Sequence, residues 1–72
     1  MNIIYIKVKG KDEMVFPECF YKQHNNFVII YTIDHPEHEI GAFNTTIVEY
    51  VYLQYIELKE KNNFLKFLFQ NS

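Results

Sequence analysis

Residues 45–61, TTIVEYVYLQYIELKEK, admit two readings, and the choice between them decides the fold. Ile47, Val48, Tyr50, Val51, Tyr52, Tyr55 and Ile56 are β-branched or aromatic and suit the pleated surface of a strand. The spacing argues for a helix. Ile40, Phe43, Ile47, Val51, Tyr55 and Leu58 form an i, i+3/i+4 stripe, Glu49, Glu57 and Glu60 fall opposite it, and Glu57 precedes Lys61 by four positions. Asp34 with Glu37, and Thr46 with Glu49, have the spacing of capping boxes. An all-β chain also needs more turn glycine than Gly10 and Gly41 supply. The helix reading carries more independent signals, so a helix is expected over about 46–61. It begins near His35 or after Thr46 and ends near Asn62 and Asn63.

Working back from this segment, three strands are expected. NIIYIKVK (2–9) alternates Ile4, Ile6 and Val8 with Ile3, Tyr5, Lys7 and Lys9, and stops at GKD. MVFPECFYK (14–22) contains Pro17, which removes a ladder donor and confines the strand to an edge or gives it a bulge. After the turn QHNN, FVIIYTI (27–33) is apolar on both faces, as a central covered strand is. The expected fold is α+β: a three-stranded antiparallel meander (about 2–9, 14–22 and 27–33) with a C-terminal helix (about 46–61) on one face. If 46–58 is instead a strand, the fold becomes a small all-β barrel or sandwich. The tail FLKFLFQNS has no assignment.

At 72 residues the chain is expected to form a single domain, 1–72, burying about 60% of the surface its unfolded form exposes. Domains this small lean on disulfides, metals or association. Cys19 is the one cysteine, so no internal disulfide forms, and no four-ligand zinc spacing is present, which leaves self-association or docking on a partner. A homodimer is therefore expected. The N-terminal apolar stretch is too short for a signal peptide and no run approaches a membrane span, so a cytoplasmic protein with no membrane contact is expected.

All seven basic residues are lysines. Without arginine, the bidentate fork that reads phosphate and guanine is missing, which together with a net charge of -2 counts against sequence-specific DNA binding and phosphoryl transfer. Phe, Tyr, Met, Ile, Asn and Lys supply 38 of the 72 residues, whereas Gly, Ala, Arg and Pro supply 5, the signature of AT-rich coding sequence.

DHPEHEIG (34–41) is the most chemical-looking stretch. His35 and His38 at H-x-x-H spacing could share a divalent ion with a carboxylate, but the pattern matches no zinc-enzyme motif and His24, the one other histidine, lies in the QHNN turn. The simpler reading makes it a helix start, with Asp34 as cap, Pro36 in the first turn, and Glu37 and Glu39 facing the positive end of the dipole. Ser72 is the one serine, and Cys19 lacks an activating motif. No enzyme and no cofactor is expected.

Two surfaces are candidates for binding. In the first, Glu49, Tyr50, Leu53, Glu57 and Glu60 form the polar side of the expected helix, within a segment (34–61) of six acids against two lysines. Tyrosine ringed by charge is a common anchor composition, and acidic patches steer association toward basic surfaces. In the second, Tyr5, Lys7, Lys9 and Lys11 offer an aromatic-plus-lysine strip of the kind that stacks and tracks single-stranded nucleic acid; the alternative is an edge strand blunted by lysine. In size, AT-rich composition, acidity and the expected sheet-plus-helix pattern the chain resembles the small phage proteins that bind and block host enzymes, anti-CRISPR and other anti-defence proteins among them. That resemblance implies a non-enzymatic inhibitor occluding a host protein. A single-stranded nucleic-acid module is the alternative, and a metal site at His35 and His38 the third.

Overall fold

A computed structural model describes residues 1–57 and 65–68 of the chain. Six strands run through it: β1 (Asn2–Val8), β2 (Met14–Pro17), β3 (Cys19–His24), β4 (Phe27–Thr32), β5 (Glu39–Asn44) and β6 (Val48–Tyr55). All pairings are antiparallel, and they build two three-stranded sheets, β2-β1-β6 and β3-β4-β5. Residues 65–68 are helical.

The two sheets face one another across a single core. Side-chain alternation in β1 sends Ile4, Ile6 and Val8 inward, where they meet Cys19 of β3 and Val28 and Ile30 of β4. Met14, Phe16, Tyr21, Phe43, Val48 and Val51 close the margins. β1 and β4 are the central strands, and Ile3 and Ile29 on their outer faces are buried as well.

The strands expected at 2–9, 14–22 and 27–33 are present, with one division. The second is cut at Glu18, which adopts φ 56, and its halves belong to different sheets. Glu18 is bonded into both: its N–H donates to the Asn2 carbonyl (2.7 Å) and its carbonyl accepts from the Ile33 N–H (3.1 Å). Pro17 sits on the edge strand at a position where no donor is needed. The bond between Glu18 and Asn2 sets the alternation of the ladder, so the neighbouring Ile3–Pro17 pair is a non-hydrogen-bonded one. The single three-stranded meander is therefore replaced by two hairpins, β1–β2 and β3–β4, hinged at Glu18.

The helix expected over 46–61 is overturned across 48–55, which form the longest strand, β6; its remainder from 58 lies outside the described residues. The expected helix start at 34–37 is also corrected. Residues 33–38 form a tight loop in which the His38 N–H donates to the His35 carbonyl (3.0 Å), and β5 begins at Glu39. Thr46 does not cap a helix. Asn44 Oδ1 accepts from both the Thr46 N–H (3.0 Å) and its hydroxyl (2.9 Å), and this Asx turn carries the chain from β5 in one sheet to β6 in the other. Gly41 in β5 lies opposite Ile30, with the Phe43 ring 3.3 Å from where a Cβ would stand, so the ring fills the space a side chain would take.

Among the described residues, no helix is long and apolar enough to cross a membrane.

Candidate functional site

The register of β1 against β6 sets Tyr5 opposite Tyr52 and Lys7 opposite Tyr50 on the outer face of the first sheet. The Tyr5 and Tyr52 rings stack with centroids 4.8 Å apart, and the Tyr52 and Tyr50 rings follow at 5.9 Å. The three rings form a ladder crossing both strands. Tyr50 and Tyr52 are exposed, Tyr5 half-buried between them and the β2 side. β-branched and aromatic residues favour this face because cross-strand pairs at this distance interact directly.

Charge borders the ladder. The Tyr50 hydroxyl donates to the Glu13 carboxylate, which comes from the loop ahead of β2. Lys7 Nζ lies 3.3 Å from Glu49 Oε2 and donates to its neighbour's carbonyl, Val8, at 2.9 Å. The hydrogen bond to Glu13 pushes the Tyr50 phenol up to about 12, because ionisation would remove the donated proton and set two anions against each other. Burial, with smaller contributions from Tyr52 and Glu13, pushes the Tyr5 phenol up too. Tyr50 and Tyr5 therefore keep their protons to higher pH than an ordinary phenol, and Tyr50 donates its own to Glu13.

The two surfaces anticipated from the sequence partly merge here. Tyr5 and Lys7 of the lysine strip stand beside Glu49 and Tyr50 of the acidic set. Lys9 and Lys11 lie past the strand end and stay exposed, with the Lys9 N–H bonded to the Ile47 carbonyl. Leu53 does not join Tyr50: in a strand, residues three apart point to opposite faces, and Leu53 pairs with Ile4 on the inner side. Glu57 follows the strand and is exposed, and Glu60 lies outside the described residues. Among the described residues Glu49, Tyr50, Leu53 and Glu57 therefore do not share one helical face. Tyr52 and Glu13 belong to the site and were missed; the signal for Tyr52 was its alternation with Tyr50 and Gln54, legible only with 48–55 read as a strand.

The histidine stretch is an exposed loop. The His35 and His38 rings are parallel with centroids 6.0 Å apart, and Glu37 Oε1 lies 3.9 Å from one and 4.0 Å from the other. Among the described residues no group of three or more His, Cys, Asp or Glu side chains is arranged to hold a metal ion. Cys19 is buried, its thiol pushed up first by burial and then by Glu18, and its Sγ points at the Pro17 carbonyl at 3.4 Å, an arrangement that favours the unreactive thiol form.

On the opposite side of the molecule Phe20 stacks on Tyr31 at 5.1 Å, and Lys22 lies over both rings at 5.8 and 5.7 Å. This second aromatic pair is covered by its own cation, whereas the Tyr5–Tyr52–Tyr50 ladder carries none above it among the described contacts. Compared with family models, curated proteins and solved structures, the chain gives no significant match.

Proposed function

We propose that the protein acts without catalysis, by binding another protein through the tyrosine ladder of β1 and β6. The observation that carries this reading is three stacked tyrosines on the outer face of the β2-β1-β6 sheet, two of them exposed and bordered by Glu13 and Glu49. Rigid aromatic plates bring large contact area at small entropic cost, and tyrosine is enriched among interface anchors. Protonated phenols beside carboxylates suit a partner offering arginine or lysine, which can stack on the rings and pair with the acids. The resemblance in composition to phage inhibitors supports a host protein as that partner and occlusion as the mechanism. The single-stranded nucleic-acid alternative is weakened at this face, where the Lys7 charge is matched by Glu49 and Glu13 adds a second negative charge against phosphate.

The test is capture from host lysate by the wild type, by Tyr52→Ala, and by Lys22→Ala as a control on the other face, each variant first shown folded by circular dichroism. A partner held by the ladder is lost with Tyr52→Ala, at a cost of at least about thirtyfold in affinity if Tyr52 is an anchor worth about 2 kcal/mol. Capture unchanged by Tyr52→Ala and by reversal of Glu13 and Glu49 counts against the reading. Salt-sensitive binding of single-stranded RNA or DNA by the purified chain would favour the alternative.

A further inference from the structure

The four edges of the two sheets are not protected alike. β2 is short and carries Pro17, β3 carries Lys22, and β5 carries Glu39 beside a register shift at Ile30/Tyr31. Each is a device that discourages further strand pairing. β6 has eight residues, no proline and no lysine; its one charge, Glu49, is also its bulge residue against β1, and beyond it Tyr50 to Tyr55 run regular and uncharged. Among the described residues no strand pairs with its outer edge.

The hydrogen-bond phase identifies which groups that edge presents. Met1 and Ile56 exchange both bonds, the Ile56 N–H to the Met1 carbonyl at 2.9 Å and the Met1 amino group to the Ile56 carbonyl at 2.6 Å. In an antiparallel ladder such pairs alternate, so Gln54, Tyr52 and Tyr50 turn their backbone groups toward β1, while Val51, Leu53 and Tyr55 turn theirs outward. The side chains at these outward positions include Leu53 and Tyr55, 44% and 63% exposed, an apolar strip continuing the core face past the edge of the sheet.

We propose that this edge pairs with the β6 edge of a second copy of the chain, antiparallel about a two-fold axis at Tyr52, to form a continuous six-stranded sheet. Only registers that place outward-facing residues against each other satisfy the backbone. Among them, the register centred on Tyr52 pairs Val51 with Leu53 of the other copy, and Tyr52 with itself. It uses the regular stretch from Tyr50 to Tyr55; Glu49, the extra residue where the ladder to β1 shifts between Tyr50 and Val48, stands at the margin of the new pairing. The tyrosine row then runs Tyr5, Tyr52, Tyr52, Tyr5 across both copies. The strand is also self-complementary in charge. Each Glu49 falls opposite a Tyr55, and the two carboxylates are separated by six strand positions, about 20 Å, beyond the roughly 8–10 Å range of screened repulsion. A two-fold contact of this kind closes on itself. It is independent of the partner-binding reading, because its test requires no partner.

Sedimentation velocity on the purified chain is expected to give twice the 8.8 kDa chain mass. Leu53→Pro removes an N–H that points away from β1, so it keeps the internal ladder and returns the mass to a single chain. Leu53→Lys is the second disruption, for the event that the proline variant does not fold, and circular dichroism reports folding in both. Tyr52→Cys places two thiols at a non-hydrogen-bonded pair with Cα atoms about 4.5 Å apart, within disulfide reach, so oxidised glutathione is expected to yield a covalent dimer. Gln54→Cys, opposite Tyr50, yields none, and Cys19 is too buried to compete. A wild type that sediments as a single chain overturns the proposal. So does a dimer that survives both Leu53 variants, or the absence of a cross-link at position 52.

Discussion

Tyr50 shows how much a single hydrogen bond can do on an open face. Its phenol donates to Glu13, and this raises it from the ordinary 10.0 to about 12. A group that binds its proton more tightly when folded adds stability that is fully present below its unfolded pKa and is lost as pH rises through the folded one. For Tyr50 the window runs from 10.0 to about 12. Ultraviolet titration of tyrosinate, with Tyr50→Phe assigning the step, is expected to place Tyr50 late in the series. Glu13→Gln should bring that step back toward 10.0, and a step that does not move would show that the contact is not made in solution. The Lys7–Glu49 pair is a different case: both side chains are partly exposed, so Glu49→Gln should cost no more than about 1 kcal/mol in a urea titration.

At the scale of elements, the first half of the chain was legible because its signals agree with one another. Alternation, β-branched content and turn residues all point to strands at 2–9 and 27–33, which the structure has at Asn2–Val8 and Phe27–Thr32, and Pro17 marked an edge. Which way the chain turned at Glu18 was not legible, because a left-handed glutamate has no sequence signature. The second half misled for a definable reason. Ile47, Val51 and Tyr55 are spaced by four, and four residues bring side chains to one face of a helix and of a strand alike. Only the three-residue steps distinguish the two: Ile40 to Phe43 lies within β5 of the other sheet, and Tyr55 to Leu58 runs out of the described residues. Intrinsic preference, seven β-formers packed closely, was the better guide. The same conformational reasoning makes a prediction at the β3–β4 hairpin. Asn25, with φ 54, begins its two-residue loop, a place for residues that tolerate positive φ. Asn25→Val should lower stability by about 1–2 kcal/mol and Asn25→Gly should not, as read from urea midpoints.

For the whole molecule, the core sets a limit on what the isolated chain can do. Among the described residues nine apolar side chains are buried, with Ile3, Ile4, Ile6 and Ile30 fully enclosed, while Leu53 and Tyr55 of β6 remain open. Ile6→Val removes one methylene and should cost about 0.5–1.5 kcal/mol, but Ile6→Ala, at about 2–5 kcal/mol, rivals the about 3–5 kcal/mol that a core of this size supplies. A chain so close to its limit gains from any contact made only by the folded form. If β6 pairs with β6, unfolding releases two chains, and each tenfold rise in concentration adds about 1.4 kcal/mol per dimer. Spread over the unfolding entropy of two such domains, this should raise Tm by about 3–6 °C per decade of protein concentration. Scanning calorimetry over two decades measures it directly. Leu53→Pro should flatten the dependence while leaving a cooperative transition, because it removes the pairing between copies and spares the ladder to β1. A wild-type Tm that does not change with concentration would mean that the chain reaches its stability alone, with the β6 edge left open.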